Sequence, residues 1–167
     1  MTSLVLATGR NDPVLARQPE RLLVEGYRHW LNGYATGSID CWELGWSLYA
    51  RELGPREARR LLGDLSCFVR DTRGAASRPL ACFPYGCQCL CRDECLVLSL
   101  VAAHQNGDAE TARAAAAHIA DDPAVEMVQA AGAAFGAALQ SVHQHLLPVP
   151  FSVLDTIARH APMTKFN

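Results

Sequence analysis

Hydrophobic positions along the chain recur mostly at helical spacing. Leu23, Tyr27, Trp30 and Tyr34 follow one another at intervals of four, three and four, which puts them on one face and predicts a helix over 14–35. Asn32, Gly33 and Gly37 end it. Ser38 or Asp40 then caps a second helix with Trp42, Trp46 and Tyr49 on its inner stripe. Gly54-Pro55 stops that helix, and Pro55 opens a third, with Leu61, Leu62, Leu65, Phe68 and Val69 facing inward and most arginines outward.

From Thr72 to Gly86 the periodicity gives way to Gly, Ala, Ser and Pro, which predicts a loop longer than ordinary connections. Beyond it, Leu96, Val97, Leu98, Leu100, Val101, Ala102 and Ala103 make 93–105 apolar on nearly every side, the pattern of a central buried helix ended by Asn106-Gly107. Asp108 caps an alanine-rich helix to Ala120. Asp121-Asp122-Pro123 starts a longer one to about Leu147, whose stripe runs Val128, Ala131, Phe135, Leu139, Val142 and Leu146. Pro148 and Pro150 close it, and a short helix follows from Ser152 to about His160.

Strand signals are nearly absent and no internal repeat is visible. The expected fold is all-α: one domain over 1–167, an antiparallel bundle of six or seven helices with one long Cys-rich loop at 72–92 and a flexible stretch at 1–12. At 167 residues the chain is long enough to bury roughly 70% of its unfolded surface, so it needs no disulfides to supplement a small core. A net charge of -2 gives no general affinity for nucleic acid or anionic membrane, and neither partner is expected. The N-terminal stretch MTSLVLATGRND lacks a basic lead and an A-x-A site, and no apolar run reaches the length of a membrane span. A soluble, cytoplasmic protein is the reading.

That setting changes the meaning of the cysteines. Five of the seven, Cys82, Cys87, Cys89, Cys91 and Cys95, fall within fourteen residues, in the stretch CFPYGCQCLCRDEC. In a reducing compartment such density points to metal or redox chemistry rather than structural disulfides. Pro84-Tyr85-Gly86 fits a tight turn, after which an extended segment would project Cys87, Cys89 and Cys91 to one side. Asp93 is the expected N-cap of the buried helix, which sets Cys95 in its first turn, where free N–H groups and the helix dipole favour a thiolate. Four of the five cysteines would then form a closed tetrahedral zinc site. The same soft ligands suit Cu(I) or an iron–sulfur cluster, although Cys95 precedes Leu96 rather than the proline of the bacterial ferredoxin pattern. The plain alternative is that they are buried hydrophobes, and this is the expected role of Cys41 and Cys67.

Other residues offer less. His104 lies half a turn round from Cys95, so the two cannot readily share an ion. His143 and His145 diverge by roughly 200° on a helix and are read as one partly buried and one solvated side chain. Asp93-Glu94 and Asp121-Asp122 diverge likewise and serve as helix-start residues. Gly132 and Gly136, four apart, either pack tightly inside the bundle or form a homodimer face. No phosphate loop, nucleophile elbow or zinc-protease motif is present, and no catalytic residues are assigned.

Two functions follow. The first is a non-catalytic accessory or regulatory protein whose Cys cluster holds zinc and organises a loop for a protein partner. The second is a redox protein using the same cysteines, through an iron–sulfur centre or a reversible thiol switch.

Overall fold

The computed structural model describes residues 13–163, so the expectation for 1–12 lies outside the described residues. Seven helices account for most of them: α1 (Gln18–Thr36), α2 (Ile39–Leu53), α3 (Pro55–Ala75), α4 (Arg92–Gln105), α5 (Ala109–Ile119), α6 (Val125–Ser141) and α7 (Phe151–Ala158). Helices α1, α2 and α3 pack on one another, as do α4, α5 and α6, and the contacts of α3 with α6 and of α1 with α4 join the two groups. Every residue of α4 from Asp93 to Ala103 is buried, because α1, α5, α6 and α7 all pack against it. Among the described residues no helix is long and apolar enough to cross a membrane.

The punctuation expected from glycine, proline and aspartate is in place. Gly37 ends α1 with φ 68°, Pro55 stands in the first turn of α3, and Asp108 caps α5 by accepting from Thr111 N (3.0 Å) and from its hydroxyl (2.6 Å). Close approach of α1 and α2 rests on a reciprocal fit. Trp30 covers Gly45 and Trp42 covers Gly33, so a Cβ at either glycine would meet the indole within 2.7 Å, and the two rings stand edge to face at 5.1 Å. On α2 the inner residues are thus Gly45, Leu48 and Tyr49, whereas Trp46 is exposed.

Two boundaries differ from the sequence pattern. Helix α3 runs on to Ala75, one turn beyond the expected break at Thr72, because Thr72 is buried and its carbonyl still accepts from Ala76 N. Helix α6 ends at Ser141 instead of near Leu147. His143 takes the left-handed conformation (φ 61°), and Gln105 from α4 satisfies the backbone groups released there. Its amide donates to Gly136 O (3.0 Å) and Gln144 O (3.1 Å), while its oxygen accepts from Leu146 N (2.8 Å). Leu146 still reaches the core, now from a non-helical segment, and His143 and His145 are both exposed, contrary to the expected split.

Phe68 and Phe135 stack at 5.1 Å between α3 and α6. The face of α6 carrying Gly132 and Gly136 is filled by α4 of the same chain. A Cβ on Gly132 would lie 2.7 Å from Leu100 Cγ, and one on Gly136 would touch Val101 O at 3.4 Å. Gly132→Val is therefore expected to cost about 1–3 kcal/mol of unfolding free energy through overpacking. A urea midpoint equal to that of the unchanged protein would contradict this account of the α4–α6 contact.

Candidate functional site

Helix α1 carries a second stripe, polar where a core face would be apolar. Glu25, Arg28, His29 and Asn32 stand at i, i+3, i+4 and i+7, and the first three are at most 4% exposed. What buries them is the non-helical segment 76–91 between α3 and α4. A side chain of the stripe meets it at each step.

Arg28, fully inaccessible to solvent, is the centre of this contact. A guanidinium has five N–H groups, and here all five are used. Nε donates to Glu94 Oε1 (2.6 Å), Nη2 to Glu94 Oε2 (3.1 Å) and Cys89 O (2.7 Å), and Nη1 to Glu25 Oε1 (3.1 Å) and Cys87 O (2.7 Å). The two carboxylates then collect backbone amides from the segment. Phe83 N donates to Glu94 Oε1 and Cys91 N to Glu94 Oε2, each at 2.9 Å, and Gly86 N donates to Glu25 Oε1 (3.1 Å). Asp93 holds the earlier part, accepting from Ala81 N (2.8 Å) and from both terminal nitrogens of Arg78, and the Tyr27 hydroxyl donates to Ala81 O (3.3 Å).

Electrostatics follow from this burial. Burial works against the charge of Arg28, but its hydrogen bond and ion pair with Glu94 outweigh that and raise its pKa. Burial raises the pKa of Glu25, and Arg28 only partly opposes the shift. Burial followed by the neighbouring charge of Arg28 lowers the pKa of His29.

The five clustered cysteines are not brought to one point. Cys82 is half-buried with its sulfur 3.9 Å from Asn32 Oδ1. Cys87 is half-buried and Cys89 exposed. Cys91 is buried and caps α4, its sulfur accepting from the backbone of Glu94 and donating to Ala81 O (3.6 Å). Sulfur thus takes the N-cap position expected for Asp93, whose carboxylate is engaged by Arg78, and completes a capping box with Glu94. Cys95 sits in the core one turn on, where burial and then the charge of Glu94 push its thiol up to about 12. The same two causes push Cys91 up. Where the helix start was expected to favour a thiolate, burial works against one. Among the described residues no three His, Cys, Asp or Glu side chains are grouped so as to hold a metal ion. Neither Cys41 nor Cys67 is a buried hydrophobe; Cys41 is half-buried and Cys67 faces solvent.

Two polar atoms in this region lack partners. Glu25 Oε2 and His29 Nε2 are both buried and make no hydrogen bond. Tyr85, half exposed, lies against the His29 ring with centroids 4.5 Å apart.

The chain matches no family model, no curated protein and no solved structure.

The polar stripe escapes an amphipathicity reading, since charged residues between apolar ones are assigned to solvent. No local signal marks it, because Glu25, Arg28, His29 and Asn32 lie on the face of the helix opposite Leu23, Tyr27 and Trp30, where a solvated face is expected. The divergence of Asp93 and Glu94, expected from their adjacency, is what lets one take Arg78 and the other Arg28.

Proposed function

We propose that this chain is a non-catalytic, metal-binding accessory protein, an antiparallel helical bundle that offers a Cys-bearing loop and a zinc-class ion to a protein partner. One observation carries this. Arg28 donates to the carbonyls of Cys87 and Cys89, which fixes the backbone that bears these two thiols. The cysteines divide accordingly. Cys91 and Cys95 fit a zinc site poorly, because each must give up a proton in the interior. Cys87 and Cys89, half-buried and exposed, are the pair that fits. Two thiolates leave two positions of a zinc tetrahedron to be filled from elsewhere.

Equilibrium dialysis of the reduced full chain against Zn²⁺ tests this. About one zinc per chain is expected. Cys87→Ser with Cys89→Ser should weaken binding by about 100-fold or more, while Cys91→Ser and Cys95→Ser leave it intact. Undiminished zinc binding by the double variant, or none by the unchanged chain, overturns the reading. The accessibility of Cys87 and Cys89 also favours a second reading, thiol exchange. A small disulfide would be reduced to two thiols as Cys87 and Cys89 lose two hydrogens and join. A metal-free chain showing that mass loss between these residues would take the second reading.

A further inference from the structure

We propose that the cavity between the C-terminal part of α1, the end of α3 and residues 76–80 binds a small organic carboxylate, its apolar body against Leu31 and Leu80 and its charge on Arg73. This site shares no residue with the metal reading above and stands or falls apart from it.

The cavity has a volume of about 460 Å³, inside the range of about 300–1,000 Å³ in which small-molecule sites fall. Three parts of the chain enclose it. Leu31 and Ala35 stand one turn apart on α1, Arg73 lies in the last turn of α3, and Ala76 to Leu80 begin the non-helical segment that follows. The lining is apolar apart from Arg73, Ser77 and Arg78, and its leucines, Leu31 and Leu80, are each 4% exposed. Apolar walls with a few polar groups bury the body of a ligand and leave those groups to orient it.

The polar groups set its charge. No acidic side chain lines the cavity, so the two guanidiniums are what a ligand meets. Arg78 is already matched, because both of its terminal nitrogens reach the Asp93 carboxylate. Arg73 is not. Asp71, the acid nearest to it along the chain, pairs with Arg70 at 2.9 Å. Among the described residues the Arg73 guanidinium has only the Tyr34 ring, with its central carbon 5.9 Å from the centroid. An aromatic face steadies a guanidinium without neutralising it, and the N–H fork stays open to an anion. Ser77 adds an acceptor rather than a donor, since its hydroxyl proton is directed at Ile119 O (3.4 Å).

The ligand class follows from both halves. Two parallel N–H groups of a guanidinium match the two oxygens of a carboxylate. Inorganic phosphate would meet the same donors and leave the leucine walls uncovered, whereas an acid with an apolar body fills both.

Titration of the full chain with benzoate, followed by amide NMR, tests the site. Shifts should centre on Leu31, Ala35 and residues 73–80 and saturate with a dissociation constant of about 10 mM or less. Benzyl alcohol, benzylamine and inorganic phosphate should each bind about 10-fold more weakly or worse. Arg73 is exposed, so Arg73→Gln is expected to keep the fold, and its urea midpoint checks this. That variant should weaken benzoate by about 10-fold and leave benzyl alcohol unchanged, whereas a merely structural role would move both. Equal binding of benzoate and benzylamine, or undiminished benzoate binding by Arg73→Gln, overturns the charge assignment. Shifts scattered elsewhere, or no saturation, overturn the site itself. If Arg73→Gln does not fold, Ala35→Phe decides. Its ring, added at an exposed position of α1, should fill the cavity and abolish benzoate binding, and unchanged binding overturns the placement.

Discussion

Replacing Arg28 by methionine is expected to cost about 3–5 kcal/mol of unfolding free energy, the range for breaking a buried ion pair from one side. The volume is nearly kept, so the loss comes from charge and hydrogen bonding. Glu94 has no exposed surface and Glu25 is 4% exposed, and each would lose its cation where water cannot replace it. The carbonyls of Cys87 and Cys89 would lose their donor as well. Urea unfolding measures the change, and limited chymotrypsin cleavage after Tyr85 reports whether the segment has come away. A companion Glu94→Gln substitution should recover part of the loss in the Arg28→Met background, since it removes the orphaned charge and keeps an acceptor for the backbone amides that Glu94 holds. A loss below about 1 kcal/mol would show that the guanidinium is not the anchor described here.

Alkaline instability should be the second large effect. Cys95 is pushed up to about 12 by burial and then by Glu94, Cys91 is pushed up by the same causes, and burial also raises the phenols of Tyr27 and Tyr49. In the unfolded chain the thiols ionise near 9 and the phenols near 10. Above those values the unfolded state has released protons that the folded state still holds, so stability falls as pH rises. The contribution of Cys95 is whole below pH 9 and declines toward about 12. Each such group adds a slope of up to about 1.4 kcal/mol per pH unit. Urea midpoints from pH 7 to 11 should fall increasingly steeply beyond 9, and Cys95→Ala should flatten the first part of that fall. A flat profile through pH 11 would place these thiols in contact with solvent.

The helices were legible because their signals are local. Pro55 at a helix start, Asp108 with Thr111, and the run Leu96–Ala103 each act within a few residues, and the all-helical fold follows from such patterns. Where a distant residue decides, sequence reading stops short. Helix α6 ends at Ser141, and beyond it Gln105, some forty residues away, pairs with Gln144 O and Leu146 N. Arg28 is core because Glu94 and two carbonyls about sixty residues away meet it. The cysteine stretch was read from thiol density, the Pro84-Tyr85-Gly86 turn and the alternation of Cys87, Cys89 and Cys91, none of which reveals what the backbone bonds to. Its backbone makes the principal bonds, and burial, invisible to spacing, turns Cys91 and Cys95 inward.

Phe83 N and Cys91 N end on the two oxygens of a single carboxylate. The seven residues between them therefore form a ring whose mouth is only as wide as the Glu94 headgroup. Such a ring tolerates exchange of its outward side chains but not a change in its circumference, since one added or missing residue would pull an amide off its oxygen. The stretch is in effect a gauge-length part. It could be transplanted to another helical scaffold only together with the arginine and the glutamate that close it.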